Sequence, residues 1–241
     1  MAVTTEDSST TTPVVTVIVP TWNEEGQLAA CLRSVGSGQL GLEVIVVDGG
    51  STDRTSEIAA SFGARFLVSP VRQRASQLNF AVQEARGEIL LFLHADTVLP
   101  FGWFNLLTAK LHRSPSILGG AFARRFDHAS GWLKCTSALA DWRGRLWGCF
   151  LGDQAMFIRS SVFWTLGGFR PVDRCEDLDL SLRLARHGRT CLLGAPVISS
   201  GRRFDRRGPV RQTWTDFWTA WNFVRQEHQR ARPLSRPGFN L

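Results

Sequence analysis

A chain of 241 residues with 44% hydrophobic content has room for one large α/β domain or two small ones with a sizeable core. Its formal net charge of +7 is almost wholly arginine, since Lys110 and Lys134 are the only lysines. Arginine forks suit phosphate and carboxylate, so the excess points to nucleic acid, anionic lipid or a phosphorylated small molecule, unless it reflects base composition alone. Residues 1–13 are polar and read as a disordered tail, without the apolar centre of a signal peptide. Residues 14–20 form a β-branched run closing on Pro20, a buried strand. Asn23, Glu24 and Glu25 follow, and then a helix with Leu28, Leu32 and Val35 on one face. Residues 42–47 make a second buried strand that runs into Asp48-Gly49-Gly50-Ser51-Thr52-Asp53, where Ser51 or Thr52 would cap a helix ended by Gly63. Residues 64–69 are a third strand, and 73–85 a helix with Leu78, Ala81, Val82 and Ala85 in register.

Residues 88–96, EILLFLHAD, read as a strand buried on both faces that delivers Asp96 at its carboxyl end. Strand and helix therefore alternate four times in the first hundred residues. That pattern predicts a Rossmann-like, mostly parallel sheet covered by helices on both faces, in a single domain. Neither GxGxxG nor GxxxxGK[ST] is present, which argues against a dinucleotide site or a P-loop. Beyond residue 100 the reading is a helix at 100–113, a strand at 117–126, an aromatic-rich connection at 132–150 and a short strand at 155–158. A helix at 160–166, a strongly patterned helix from Glu176 to His187, two short strands near Cys191 and Val197, and a final helix from Pro209 complete it. Five cysteines without close pairs (Cys31, Cys135, Cys149, Cys175, Cys191) indicate reduced thiols and no structural zinc. No run reaches the roughly 20 apolar residues that span a bilayer.

Asp48 and Asp96 both fall at carboxyl ends of parallel strands, which places them on one rim of the sheet. Two carboxylates there suit a ribose, a base N–H or a divalent metal, Mg2+ or Mn2+, held mainly through substrate phosphates. Arg72, Arg74, Arg202 and Arg203 could clamp a diphosphate on the other wall, although each also reads as a solvated surface residue. Glu176 and Asp177 open a leucine-rich helix. They either complement its dipole or, at the border of a core, include a general base with a raised pKa.

Taken together, VVTVIVPTWNEE, VIVVDGGSTDRT, LLFLHADT, GDQAMFIR, GGF and CEDLDLSLRL resemble family-2 glycosyltransferases of the GT-A fold, over residues 14–205. The resemblance implies a nucleotide-sugar half at 14–99 and an acceptor half at 100–205. It implies donor-binding positions at Pro20, Thr21, Asn23, Glu24, Asp48 and Asp96, with Asp96 also meeting the metal; with these the arginine reading gives Arg74 to the donor and Arg202 and Arg203 to its diphosphate. Asp177 matches the catalytic base, Glu176 the acid before it, and Gly152, Asp153 and Gln154 an acceptor-side loop. The metal motif departs from Asp-x-Asp, because His94 takes its first position. The Gln-x-x-Arg-Trp motif of processive synthases is missing, so a single transfer is expected. Within the family the motifs resemble a small bacterial subgroup associated with arsenosugar biosynthesis.

The implied activity is that of an inverting glycosyltransferase, with a UDP-sugar as first-choice donor, a small-molecule or lipid-linked acceptor, and no nucleic acid. Its rivals are a nucleotidyltransferase, which the acidic TWNEEG loop disfavours, and a non-catalytic membrane-associated scaffold on the same fold. Residues 206–241 hold an aromatic helix and a tail, with Trp214, Phe217, Trp218, Trp221 and Val224 on one stripe. Arg211, Asp216, Gln226 and Arg230 are assigned to the opposite face. Core packing, a homodimer contact and an interfacial helix at the inner face of the cytoplasmic membrane are the three readings of that stripe. The expected location is cytoplasmic or peripheral to that membrane.

Overall fold

The structure is a computed structural model and describes residues 14–36, 38–127, 130–172, 174–202, 204 and 208–230, the side chains of 226–230 excepted. The expected tails at 1–13 and 231–241, and Arg203, lie outside these residues.

Strands β1 (Val15–Thr21), β2 (Leu42–Asp48), β3 (Arg65–Val68) and β4 (Ile89–Phe92) alternate with helices α1 (Leu28–Val35), α2 (Thr55–Ser61) and α3 (Arg74–Glu84). β5 (Thr97–Val98), α4 (Trp103–Arg113), β6 (Ile117–Phe126) and α5 (Gly131–Trp147) follow. A 3-10 turn at Gly152–Gln154 leads into β7 (Met156–Arg159) and α6 (Ser160–Thr165). The chain continues through α7 (Glu176–His187) and β8 (Arg189–Ser199) to α8 (Pro209–Arg230). One eight-stranded sheet runs in the order β3-β2-β1-β4-β7-β6-β8-β5.

Alternation along β1 sends Val15, Val17 and Val19 to one face and Ile18 to the other, as a period of two requires. The first face is covered by α1 and α4 through Leu28, Leu32, Trp103 and Leu107. The second is covered by α3, α6 and α7 through Leu78, Ala81, Phe163, Leu180 and Leu184. Helices thus lie on both sides of a buried sheet, as expected.

The parallel arrangement holds from β3 to β4. β7 then runs antiparallel to both β4 and β6, β8 returns parallel to β6, and β5 is antiparallel to β8. The second half of the sheet is therefore mixed.

Three local readings change. The aromatic connection is a 17-residue helix, α5. Its buried positions include Leu133, Ser137, Ala140 and Gly144, mostly small residues whose helical spacing is masked by outward-facing tryptophans. The two short strands near Cys191 and Val197 are one 11-residue strand, β8. Its Pro196 sits where the pairing with β6 shifts register, between Phe122 and Ala123, a place that tolerates a residue with no N–H. α2 starts at Thr55 rather than after Ser51 or Thr52, because Asp48 captures Ser51 while Asp53 accepts from the Thr55 amide at 3.0 Å.

Candidate active site

The carboxyl ends of β1 and β2 carry two loops that are tied to each other. Asp48, almost fully buried, accepts from the Thr21 hydroxyl at 2.9 Å, the Ser51 hydroxyl at 2.5 Å and the Gly50 and Ser51 amides at 2.8 and 2.6 Å. Four donors use the acceptor capacity of one carboxylate, so Asp48 holds the turn that shapes the rim. Asn23, in the left-handed region at φ 52°, donates its amide to the Ser51 hydroxyl and accepts the Thr52 amide at 2.9 Å on its side chain. Thr21 is buried on the same network. These three expected donor residues are brought together in the frame of the loop.

Pro20, Glu24, Arg74, His94, Ala95, Asp96 and Arg202 line an open cleft of about 450 Å³ beside that frame. Arg202, carried past the end of β8, donates to both oxygens of Glu24 at 2.9 Å and lies 3.4 Å from Asp96 Oδ2. Burial pushes the Glu24 carboxyl above its usual range and the Asp96 charge adds to the rise, while Arg202 opposes it. Two carboxylates thus converge on one point now held by a guanidinium. A pair of this kind fits Mg2+ or Mn2+, which bind one or two protein carboxylates and draw their other ligands from substrate phosphates and water. Among the described residues no cluster of three His, Cys, Asp or Glu makes an all-protein cage.

A recess lined by Leu93, Met156, Phe169, Glu176 and Asp177 opens from the same cleft, and Pro20, Arg74 and His94 line both. Cys175, in the left-handed region at φ 66°, turns the chain into α7 and places the two acids at its first turn. Glu176 is buried and pairs with Arg74 at 3.3 Å. Asp177 accepts from the Gly152 amide and, at 2.7 Å, from the Leu178 amide. Burial, reinforced by the neighbouring Glu176 charge, pushes its pKa up to about 6, against the lowering by the Gly152 amide and Arg74. That value suits a general base near neutrality.

Of the expected acceptor-side trio, only Gly152 faces this recess. Asp153 pairs with the buried Arg124 on β6. Gln154 is fully buried, accepting from the Leu151 amide at 3.2 Å and Arg143 at 3.3 Å. A polar sequence signature here marks a loop anchor as much as a ligand contact. A Cβ on Gly152 would stand 2.5 Å from His94 Nε2 and 2.7 Å from Asp177 Oδ2. Gly152→Ala is therefore expected to displace both side chains and lower kcat/KM by roughly 10²-fold, the cost of about 1 Å of misplacement. Steady-state kinetics on a variant of unchanged Tm checks this.

From sequence, Arg72 reads either as part of a diphosphate clamp or as a solvated surface residue, and Trp22 has no assigned role. In the structure the Arg72 guanidinium stacks 3.2 Å from the centre of the half-exposed Trp22 ring. An exposed tryptophan directly after a strand-terminal Pro-Thr was the signal available.

Comparison with known proteins follows the same lines. An N-acetylglucosaminyltransferase of Bradyrhizobium diazoefficiens is 29% identical over 251 residues, covering 88% of this chain and 51% of the relative. The mannosyltransferase PcManGT of Pyrobaculum calidifontis, solved with GDP-Man and Mn2+, superposes with a TM-score of 0.62 at 25% identity, over 79% of this chain and 57% of that one. S. aureus TarS 1-349, solved with UDP-GlcNAc, matches in fold with a TM-score of 0.62 at 19% identity, over 77% and 58%. The chain spans about half the length of the curated relatives it matches. The mixed sheet flanked by helices is thus that of GT-A glycosyltransferases. The model of glycosyl transferase family 2 matches residues 16–167, and the chain belongs to that family.

Proposed function

We propose that this chain is an inverting glycosyltransferase that moves one sugar from a nucleotide-sugar donor to an acceptor hydroxyl. The observation that carries the reading is one cleft with two chemically different ends: an acid pair beside arginines, and a carboxylate with a raised pKa. Support for a nucleotide sugar comes from PcManGT with GDP-Man and TarS with UDP-GlcNAc, and a UDP-sugar is our first choice.

In this reading Asp177 takes the proton of the acceptor hydroxyl as its oxygen attacks the anomeric carbon. The bond to the nucleoside diphosphate breaks on the opposite face, which inverts the centre. Arg74, half exposed and anchored on Glu176, lines both parts of the cleft and can follow the charge that grows on the diphosphate. Asp96 and Glu24 would hold Mg2+ or Mn2+, which neutralises that same charge. His94 borders both Asp177 and the acid pair, so it sits between the two ends.

Calorimetry with UDP-, GDP- and dTDP-sugars, with and without Mn2+, tests the reading. One donor is expected to bind and to release its nucleoside diphosphate slowly in water. Absence of binding by the whole panel in both conditions overturns it.

A further inference from the structure

We propose that the outward faces of α5 and α8 together form a docking surface for an anionic lipid bilayer. Along α5, Trp132, Leu139, Trp142 and Leu146 recur on one stripe and are 43–63% exposed, with Trp147 beside them at 60%. Along α8, Trp214, Phe217, Trp218 and Trp221 share another and are all more than half exposed. Six of the nine tryptophans of the chain stand on these two helices. The Trp132 ring N–H donates to the Thr213 hydroxyl at 3.1 Å, so the start of one stripe is tied to the residue before the other.

Both helices reverse the usual economy of an amphipathic helix. α8 buries Gln212 and half-buries Thr213, Thr219 and Ala220 while its aromatic side faces outward. This sets aside core packing as the reason for the stripe. Arg211 lies three residues before Trp214 and seven before Trp218, on the aromatic side rather than the opposite one, and Arg225 closes the same row seven residues after Trp218. Among the described side chains of the two helices, Lys134, Arg145, Arg211 and Arg225 are exposed cations, and Asp216 is the exposed acid.

A basic rim around tryptophan and leucine is complementary to a negatively charged headgroup layer, where indole rings settle and guanidinium groups meet phosphate. A second copy of the chain would instead oppose cation to cation across the contact. None of the described helices is long and apolar enough to cross a membrane, so the surface rests on the bilayer.

The location has a use that rests on the proposed transferase reading. α5 ends at Trp147, and the next loop reaches Gly152 against Asp177. An amphiphilic acceptor held in the bilayer would meet the recess through that loop, which makes a lipid-linked hydroxyl the favoured acceptor class.

The test is flotation of the full chain with vesicles of neutral phosphatidylcholine, or of the same lipid with about one third phosphatidylglycerol. Binding is expected with the anionic vesicles only, together with a blue shift of tryptophan emission, and to weaken as salt screens the rim. Trp214→Ser with Trp218→Ser, and separately Arg211→Glu with Arg225→Glu, are expected to cut partitioning at least tenfold at unchanged Tm. Failure to float with anionic vesicles at low salt overturns the proposal, as does unchanged partitioning in both folded variants. Self-association abolished by the tryptophan variant, without lipid binding, assigns the surface to a second copy and also overturns it. Nucleotide-sugar binding, measured without vesicles, should be unaltered in all variants. If lipid binding fails while donor binding holds, only the docking surface falls; if donor binding fails in the parent chain, the transferase reading falls.

Discussion

Asp177→Asn should lower turnover by roughly 10²–10⁴-fold, the usual contribution of a general base, with donor affinity within a few-fold of the parent. The side chain keeps its size but loses its basicity. One of its two amide partners, Gly152 or Leu178, then faces an NH2 group instead of an oxygen, so some local loosening accompanies the loss. The pH profile separates the two effects. Burial and the Glu176 charge raise the Asp177 pKa to about 6, and the base must be ionised to accept a proton. The kcat/KM of the parent should therefore climb from acid pH, bend near 6 and level off above it. The residual rate of the variant should lack that limb. Were Asp177 only the anchor of the Gly152 loop, Tm and affinity would move and the limb would remain.

Asp96→Ala should remove the Mn2+-dependent part of donor affinity, by at least the roughly 10–100-fold that an outer-shell change already costs a metal site. Arg202→Ala should act in the opposite direction on Mn2+ alone. In the absence of nucleotide its guanidinium neutralises Glu24 and Asp96, and a cation entering there must displace it. Calorimetric titration of Mn2+ is expected to show tighter binding to Arg202→Ala without nucleotide. With a nucleotide sugar present that advantage should shrink, because the displaced guanidinium can pair with the diphosphate. Equal Mn2+ affinity in parent and both variants would remove Asp96 from the metal site.

The first hundred residues were legible because strands buried on both faces leave continuous β-branched runs, and the helices between them keep a clear apolar stripe. The strand-terminal position of Asp48 followed from that alternation, whereas β4 ends at Phe92 and Asp96 sits beyond it, in the turn before β5. The surroundings of the two acids did not follow, since a buried carboxylate that frames a turn and a carboxylate that faces an open cleft read alike in sequence. Asp48 accepts four hydrogen bonds, whereas Asp96 faces a cleft. α5 was missed because its tryptophans point away from the protein, so hydrophobic spacing indicated the outside of the helix. Arg124 could not be connected with Asp153 from sequence, because the two meet only when the sheet folds.

Under the proposed chemistry, the reversed direction of β7 divides the catalytic apparatus into parts that can change at different rates. β1, β2 and β4 present their carboxyl ends to the cleft, but β7 presents its beginning, with Met156 paired to Phe92. The segment that touches Asp177 therefore enters the sheet at the same rim, through a loop separate from those that follow β1 and β2. Under the proposed chemistry, residues 148–154 form an exchangeable cassette. Transplanting the equivalent stretch from another family-2 enzyme would retarget the acceptor hydroxyl while leaving donor choice with the host.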